Sequence, residues 1–554
     1  MDIRKRVIAL ALTAAILAGL AACGTEKKEA ARTVPEGLYE LSDSGEAIIS
    51  DVDMSNYKDT DDNARVFYEI FVGSFSDSDG DGTGDLRGII DRLDYLNDGD
   101  PKSGKSLGVE GIWLTPVFTS SSYHKYNVDN YYEIDPEFGT MDDLKELINE
   151  CHKRDIIVIL DMVLNHSGSD NEWFRQFLQA HRASDLSNEY YNYYCYYYPG
   201  ETAPNGRTFR KASNTDLYYE CNFDGSMPEL NYDNPSVRNA MLDVAKYYLD
   251  LGADGFRFDA AKYIYFGETD KNVSFWTWYI GELKKIKPDI YTVAEVWDGD
   301  SITDSYYKAL NCFDFTTSQV DGLIAETAKA GNADLLTKYV ENYLKRVKGI
   351  NSDAMLLQFI SNHDMDRAAG YLTTATFNMQ MGANLYILSP GSPFIYYGEE
   401  LGLKGSRGGA NTDANRRLAM IWGDDDKVEN PKGTTYDMSN QITHGVKDQI
   451  AEEDSMLTYY KRLLMIRAAN PEIARGEYKA LKIEDSKIGG FTSTWEGNTV
   501  CVLHNPSNGS GTIDLSKISG AEGFENITAV IGRGTARIEG TELTIEGKTS
   551  VVLR

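Results

Sequence analysis

Four short segments of the sequence place carboxylate, imidazole and guanidinium groups at the ends of apolar runs. They are LDMVLNH (160–166), GFRFDAAK (255–262), VAEVW (293–297) and FISNHD (359–364). Such groups serve as acids, bases and nucleophiles in enzymes. A single polar residue in such a place is more often a helix cap or an ion-pair partner. Four in succession are difficult to explain in that way, because a packed core excludes unpaired polar groups. We therefore predict an active site built from these segments.

The elements that position these groups follow a regular alternation. Strands are predicted over 66–75, 108–118, 156–164, 255–260, 290–296, 355–360 and 393–397, and helices over 85–96 and 141–154. Apolar strands that alternate with helices indicate a parallel sheet covered on both faces. About eight such units over roughly 400 residues favour a (β/α)8 TIM barrel, in which functional groups lie at the C-terminal ends of the strands.

Two parts of the chain interrupt the alternation. Residues 167–235 are aromatic and turn-rich, as in EYYNYYCYYYPG, and predict an inserted subdomain after the third strand. Residues 476–554 contain short alternating segments between Gly and Asn turns, which predict a C-terminal antiparallel β-sandwich domain. The barrel is then expected to comprise residues 63–166 and 236–475.

The N-terminus predicts export. Three basic residues at 4–6 precede an apolar run over 7–22 that ends in LAAC. This pattern is typical of a signal peptide over 1–22, and the run is short for a membrane span, which needs roughly 20 apolar residues. LAAC resembles the bacterial lipoprotein box, which implies a lipidated Cys23; a cleaved signal with a chance Cys is the alternative. Residues 23–62 are polar and predict a flexible stalk. We expect an extracellular protein anchored to the cell membrane by its lipid alone.

The composition limits the classes of molecule that the protein is expected to bind. The formal net charge is −30, from 55 basic and 85 acidic side chains. A field of that sign repels nucleic acid and suits a neutral substrate or a bound cation. The cysteines after Cys23 are odd in number and widely spaced, which is neither a disulfide framework nor a zinc pattern. Cys195 and Cys221 could pair if their loops meet, but free thiols are favoured. We expect a monomer.

The four polar segments, in this order and spacing, resemble the signature regions of glycoside hydrolase family 13, the α-amylase family. The resemblance covers residues 66–554, including the insertion and the terminal β domain. It implies that Asp259 is the nucleophile, Glu295 the general acid/base, and Asp364 a third carboxylate that grips and distorts the sugar.

The resemblance also implies a set of substrate ligands. His166 and His363 are similar to the family's ligands for hydroxyls of the sugar that is cleaved. The segment SSYHKYNVDNYY (121–132) resembles the one that supplies a stacking tyrosine, here Tyr126, with His124 beside it.

Physical reasons agree with the catalytic roles. Arg257 and Asp259 are two residues apart on a strand, so both point to one face. A guanidinium beside a carboxylate is expected to lower its pKa and to keep it ionised, as a nucleophile requires. Glu295 has apolar neighbours in Ala294 and Val296, and such surroundings raise a carboxyl pKa, as a proton donor requires. Retaining glycosidases hold the two carboxyls roughly 5–5.5 Å apart, so we expect retention of the α anomer.

The segment DSDGDGTGD (77–85) has oxygen ligands at alternate positions and Gly where the chain turns. This is similar to the first part of an EF-hand, but Gly88 stands where the acid of position 12 is expected. An acidic turn without a metal is the alternative. The same loop recurs after the first barrel strand in the oligo-1,6-glucosidase branch of family 13. That resemblance implies a Ca²⁺ cofactor held by Asp77, Asp79, Asp81, Asp85 and the backbone oxygen of Thr83.

Three features bear on the substrate. MPELN (227–231) resembles an intermediate group, between oligo-1,6-glucosidases and neopullulanases, that contains bacterial α-amylases. Ala260 resembles the small residue of α-1,4-acting relatives, whereas Lys262-Tyr263 departs from the Lys-His of many α-amylases and leaves the leaving-group subsites open. An exported enzyme is more useful on starch and long maltodextrins than on small cytosolic sugars, so we expect an endo-acting α-amylase. An exo-acting α-glucosidase or a neopullulanase- or cyclomaltodextrinase-like enzyme shares the same residues. From another class, a glucan-binding lipoprotein is the alternative.

Overall fold

The computed structural model describes residues 39–42, 44–408, 413–484 and 487–554. The predicted signal peptide, Cys23 and the first part of the predicted stalk lie outside this range. No helix among the described residues is long and apolar enough to cross a membrane.

Eight parallel strands of the described chain form a barrel. In chain order they are Phe67–Ile70, Gly111–Leu114, Ile157–Met162, Gly255–Phe258, Tyr291–Ala294, Asn311–Cys312, Leu357–Gln358 and Ser392–Tyr396. Each strand pairs with the next up to the sixth, the eighth pairs with the first and the seventh, and a parallel bridge from Phe313 to Leu357 closes the ring. The predicted TIM barrel is confirmed.

The inside of the barrel is filled by large apolar side chains. A separate cluster of buried residues includes Phe67, Trp113, Ile159 and Phe394. The rings of Phe67 and Phe394 stack with centroids 4.6 Å apart. Inward residues from neighbouring strands thus form a packed core, which leaves the strand ends for polar groups.

Helices surround the barrel; most bury one face, whereas Asn378–Ile387 and Met456–Ala468 are buried on nearly all sides. The helices of the described chain are Leu86–Asp91, Leu93–Leu96, Met141–His152, Glu172–Ala183, Pro235–Asp250, Thr269–Ile286, Asp300–Tyr306, Leu323–Ala330, Asp334–Lys348, Ala368–Leu372, Asn378–Ile387, Val446–Gln449, Met456–Ala468 and Pro471–Arg475. The helix Met141–His152 begins with a capping box between Thr140 and Asp143, and it buries Leu144 and Leu147 among others. Caps and an apolar stripe together fix where such a helix starts and which face it packs.

The insertion after the third strand has more regular structure than its sequence suggests. It contains the helix Glu172–Ala183 and a three-stranded antiparallel sheet of Tyr196–Tyr197, Tyr218–Glu220 and Phe209–Lys211. The helix buries Phe174 and Phe177, which are three residues apart. The aromatic density of the segment obscures this short period.

The C-terminal region is a sandwich of two antiparallel sheets. The five-stranded sheet contains Glu477–Ala480, Gly489–Trp495, Asn498–Asn505, Thr549–Leu553 and Ile527–Gly532, and the three-stranded sheet contains Gly511–Asp514, Glu542–Ile545 and Ala536–Glu539. Residues from both sheets, including Leu503 and Leu543, share one buried cluster. The predicted β-sandwich is confirmed.

The prediction of a flexible stalk over 23–62 is wrong for residues 44–62. Ile49 and Met54 are buried against Met465 and Ala469, in and just after the helix Met456–Ala468. Arg462 of that helix donates to Asp51 over 3.0 Å. A few apolar residues suffice for this packing, although the segment as a whole is polar.

Candidate active site

The C-terminal ends of the barrel strands surround an open cleft of about 750 Å³. Its lining includes Asp259, Glu295, Asp364, His124, Tyr126 and His166, together with Phe223, Asp224, Met227, Ala260, Lys262, Tyr263, Trp297, Asp413 and Arg417. The three predicted catalytic carboxyls and three of the predicted sugar ligands therefore share one cavity. The other two predicted residues, Arg257 and His363, are buried and contact the cleft carboxyls Asp259 and Asp364.

Arg257 connects the two carboxyls of the predicted catalytic pair. Its Nη1 donates to Asp259 Oδ1 over 2.7 Å, and its Nη2 donates to Glu295 Oε2 over 2.7 Å. Nη1 also donates to Asp161 Oδ1 over 2.8 Å. The guanidinium is 1% exposed, so a fixed and buried positive charge orients all three acids.

The backbone after Asp259 contributes to the same arrangement. Ala260 has φ of +47°, a left-handed conformation that is uncommon for a residue with a Cβ. In this conformation its N–H donates to Glu295 Oε2 over 3.1 Å. Strained backbone of this kind persists where the surrounding structure holds it, often at functional sites.

The two carboxyls differ in acidity. Burial raises the pKa of Glu295 to about 7, against the opposing effect of Arg257. Burial also raises the pKa of Asp259, to about 6, although Arg257 lowers it. The expectation that Arg257 keeps the pKa of Asp259 low is therefore wrong, because removal from water outweighs the guanidinium. Between these two values Asp259 is mainly ionised and Glu295 mainly protonated.

Asp364 is held by two cations. Arg417 Nη2 donates to its Oδ1 over 2.8 Å, and His363 Nε2 lies 3.0 Å from its Oδ2. Burial opposes ionisation of Asp364, but His363 and Arg417 outweigh it and hold the pKa of this carboxyl well below its usual range. Asp364 is thus a fixed negative charge at the cleft.

His363 is clamped from both sides. Its Nδ1 lies 2.5 Å from Glu69 Oε1, and its Nε2 lies 2.7 Å from the Tyr126 hydroxyl. Burial favours the neutral ring, but Asp364 and Glu69 outweigh it and raise the pKa of His363 to about 10. The ring is therefore an imidazolium that donates to its partners.

Three residues that the sequence predictions did not include as site ligands take part in this network. Glu69 comes from the first strand, and Asp161 accepts from Tyr126 over 2.9 Å and from Trp113 Nε1 over 3.3 Å. Arg417 follows the eighth strand and also donates from Nε to the carbonyl of His363 over 3.0 Å. Glu69 and Arg417 carry no local motif; only a polar residue inside an apolar strand signals Glu69.

The other two predicted histidines are neutral. Burial lowers the pKa of His166 to about 4 and that of His124 to about 3. His166 Nδ1 lies 3.2 Å from Asn165 Nδ2, whereas its buried Nε2 has no partner among the residues that the structure describes. A buried ring nitrogen of this kind at a cleft wall is available to a hydroxyl of a bound molecule.

The predicted metal loop follows the first barrel strand. Ligand oxygens of Asp77, Asp79 and Asp85 lie within 4.8 Å of one another. Asp81 is not part of this group, and its Oδ1 accepts instead from the N–H of Thr83 over 2.7 Å. Within the described ranges no Lys or Arg forms an ion pair with the three grouped acids.

The backbone conformation of this loop brings its carboxylate oxygens close together. Asp77 Oδ1 accepts from the N–H groups of Asp79 and Gly80 over 3.1 and 2.7 Å. Gly80 and Gly82 have φ of +84° and +95°, which suits glycine. Three convergent carboxylates without a balancing cation fit a hard divalent ion with oxygen ligands.

The five cysteines in the described part of the chain are free thiols. Cys195 and Cys221 are unpaired, as are Cys151, Cys312 and Cys501. The preference for free thiols over a bridge is confirmed.

Comparisons with known proteins show what this chain is similar to. Residues 69–476 match the family described as "Alpha amylase, catalytic domain". Alpha-amylase 3 of Dictyoglomus thermophilum is 35% identical over 443 residues, which cover 79% of this chain and 84% of that protein. The 4-alpha-glucanotransferase of Thermotoga neapolitana is 30% identical over 454 residues, or 80% of this chain and 96% of that protein. Eubacterium rectale Amy13B superposes with a TM-score of 0.81 at 31% identity and covers 91% of this chain and 96% of its own.

Proposed function

The chain belongs to the α-amylase family and is a glycoside hydrolase, and from this premise we propose that it is an endo-acting α-amylase. Its substrates would be starch and maltodextrins, cut at internal α-1,4 bonds with retention of the anomer. The shared guanidinium supports hydrolysis by two carboxyls: Arg257 binds Asp259 and Glu295 at once, and their pKa values of about 6 and about 7 suit a nucleophile and an acid. Because the alternative enzymes share these residues, the observation that carries the choice of an α-amylase is the 35% identity to Alpha-amylase 3 of Dictyoglomus thermophilum over 84% of that protein.

The first chemical step uses both carboxyls. Glu295 gives its proton to the glycosidic oxygen, and the carboxylate of Asp259 attacks C1 from the opposite face of the sugar. The bond from C1 to that oxygen breaks, the leaving chain departs with a new hydroxyl, and an ester joins C1 to Asp259.

The second step releases the sugar. Glu295, now ionised, takes a proton from a water molecule, whose oxygen attacks C1 and displaces Asp259. Two inversions give net retention. Arg257 donates to both carboxyls throughout and so keeps the reacting groups in place.

The remaining site residues would hold the sugar. Asp364, an anion near the reacting centre, would stabilise positive charge that develops on the ring. His363, as an imidazolium, and His166, as a neutral ring with a free buried nitrogen, would bind hydroxyls. Tyr126 would stack on the sugar face, and His124 lies beside it.

We propose that Ca²⁺ binds the loop after the first strand. Asp77, Asp79 and Asp85 would hold it through carboxylate oxygens, and Asp81 and the backbone oxygen of Thr83 would complete the predicted set. When bound, the ion supplies charge neutralisation and a crosslink within the loop.

We also propose that the protein is exported and anchored through a lipid on Cys23, and that it acts as a monomer. A Cys23→Ala variant should lose incorporation of labelled fatty acid and appear in the culture medium. Unchanged labelling would contradict the anchor, and a dimer in light scattering would contradict the monomer.

The product profile over time tests the proposed activity. On soluble starch, an endo-acting enzyme should abolish iodine staining early and release mixed maltooligosaccharides. Glucose released from chain ends, or attack on isomaltose, would indicate an α-glucosidase; preferential attack on pullulan or cyclodextrin would indicate a neopullulanase-like enzyme. Binding of maltodextrin without any cleavage would indicate a glucan-binding lipoprotein.

A further inference from the structure

Five aromatic side chains lie close to one another outside the active-site cleft. Tyr132 and Tyr247 belong to the barrel, and their ring centroids are 5.4 Å apart. Trp173 and Tyr190 belong to the insertion, and both contact Tyr193, with centroids 5.8 and 4.7 Å from that of the Tyr193 ring. None of the five is among the residues that line the cleft. These five residues are here called the aromatic patch.

The barrel and insertion parts of the patch are adjacent. The ring of Tyr131, the residue before Tyr132, stacks on Trp173 with centroids 5.5 Å apart. Burial raises the pKa of Tyr193 to about 12, and Tyr132 is among the neighbours that add to this rise. Tyr193 is buried, whereas solvent reaches the other members, namely Tyr132, Trp173, Tyr190 and Tyr247. The patch is therefore one partly exposed surface that both parts of the protein build.

The patch keeps polar groups that the protein does not use. Within the described part of the chain, no hydrogen bond involves the polar tips of its rings, namely the hydroxyls of Tyr132, Tyr190, Tyr193 and Tyr247 and the indole N–H of Trp173. The neighbouring Tyr131 differs, because its buried hydroxyl donates to the carbonyl of Val163 over 2.9 Å. Tyr and Trp that serve only as core usually satisfy their polar tips in this way. The patch therefore has both apolar ring faces and free polar tips for a bound molecule.

Acidic side chains at the edge of the patch limit what it can bind. Burial raises the pKa of Tyr132, and the nearby Asp243 adds to this rise. Burial likewise raises the pKa of Tyr190, and Glu189 and Glu172 add to it. Carboxylates so close to the rings repel nucleic acid and anionic lipid but not a neutral chain. An α-glucan is neutral and presents apolar C–H faces with hydroxyls at their edges, which match rings with polar tips.

We propose that the aromatic patch is a second binding site for α-glucan, separate from the catalytic cleft, which holds the enzyme on long chains and on starch particles. The class of ligand rests on the proposed glucan hydrolysis. A short oligosaccharide can fill the cleft without touching the patch. A polymer or a starch particle can occupy both sites at once, and the second contact then adds to the overall affinity without any change in the cleft.

Adsorption to granular starch tests the patch. In the Glu295→Gln protein, which binds without turnover, Tyr132→Ser combined with Tyr190→Ser should weaken adsorption about fivefold to tenfold, because two ring faces are lost. Calorimetry with maltotriose, which is too short to reach from the cleft to a second site, should give an unchanged Kd. Leu335→Ser is a matched control, since Leu335 is an apolar residue that is 58% exposed on the helix Asp334–Lys348. It should change neither measurement.

Several outcomes would overturn the inference. Unchanged adsorption of the serine pair would do so, and so would an equal loss of maltotriose binding, which would show that the rings only pack the insertion against the barrel. A dimer in light scattering that the serine pair abolishes would assign the patch to a second copy of the chain. If the unmodified enzyme cleaves no starch but the serine pair still weakens adsorption, the patch is supported and only the proposed hydrolysis fails.

A second measurement leaves both tyrosines in place and so does not depend on the folding of the serine pair. Nitration of Tyr132 and Tyr190 in the Glu295→Gln protein, read by mass spectrometry, reports how accessible the two rings are. Amylose should protect both tyrosines from nitration, whereas maltotriose should protect neither. Equal nitration with and without amylose would overturn the inference.

Discussion

Replacing Glu295 by Gln removes one transferable proton and leaves the local geometry in place. The Gln oxygen accepts the same hydrogen bonds, from Arg257 Nη2 over 2.7 Å and from the N–H of Ala260 over 3.1 Å. The two side chains have nearly the same shape, so maltodextrin binding should persist. General acid catalysis contributes about 10²–10⁴-fold, so kcat on starch should fall by that factor, or about 3–5 kcal/mol of barrier.

The loss should depend on the leaving group. Dinitrophenyl maltoside departs without a proton, so its first step should be far less impaired than that of starch. The pH profile of the Glu295→Gln variant should also lose its basic limb, because the carboxyl with a pKa of about 7 is gone. The acidic limb should remain near a pH of about 6, because Asp259 is still present. The assay is kcat/KM for both substrates across the acidic and neutral range.

The fold offers a control variant for the Glu295→Gln experiment. Glu110 precedes the second barrel strand, at the opposite end from the cleft, and accepts from the N–H of Val66 over 2.9 Å. Glu110→Gln should therefore leave kcat near normal. Near-normal turnover of starch by Glu295→Gln would refute the acid/base role. An equal loss on both substrates would show that the variant disturbs the site and not the proton transfer.

The unmodified enzyme should show a bell-shaped kcat/KM: activity falls below a pH of about 6 as Asp259 takes up a proton, and above a pH of about 7 as Glu295 loses one. A profile that is flat through both values would contradict these roles. Chelation should lower Tm and calcium should restore it, with a weaker response in Asp79→Asn; a Tm indifferent to chelator would exclude the loop as a metal site. Glu69→Gln removes one of the two carboxylates that keep His363 protonated, so the pKa of His363 should fall from about 10. Histidine NMR would measure this fall, and an unchanged value would contradict the clamp.

Much of the architecture is predictable because its signals are local. Seven of the eight barrel strands coincide with apolar runs predicted from the sequence, whereas the sixth, Asn311–Cys312, has no such run and was missed. The polar residues that end the runs must meet at one rim of a parallel barrel. Asp259, Glu295 and Asp364 were predicted in this way, and the structure brings them to one cleft. The family membership implied by these segments is confirmed.

Contacts between distant segments were not predictable. Arg417 binds Asp364 from a loop after the eighth strand, and no spacing rule connects the two. The polar composition of residues 44–62 predicts a stalk, yet Ile49 and Met54 pack against the end of the helix Met456–Ala468, about 400 residues later in the sequence.

Burial is a second property that the sequence does not contain. The motif places Arg257 beside Asp259 and so predicts a lowered pKa. The structure shows that both side chains are enclosed, and the loss of water outweighs the guanidinium. The direction for Glu295 was predicted correctly because burial and its apolar neighbours act in the same sense.

The most direct test of the double displacement by Asp259 and Glu295 is the anomeric configuration of the first product. Proton NMR during early hydrolysis of maltoheptaose resolves the α and β forms before they equilibrate. Two successive displacements at C1, the first by Asp259, predict that the α anomer appears first, and that Asp259→Asn abolishes its formation. Initial release of the β anomer would mean a single displacement by water, and would contradict the assignment of Asp259 as the nucleophile.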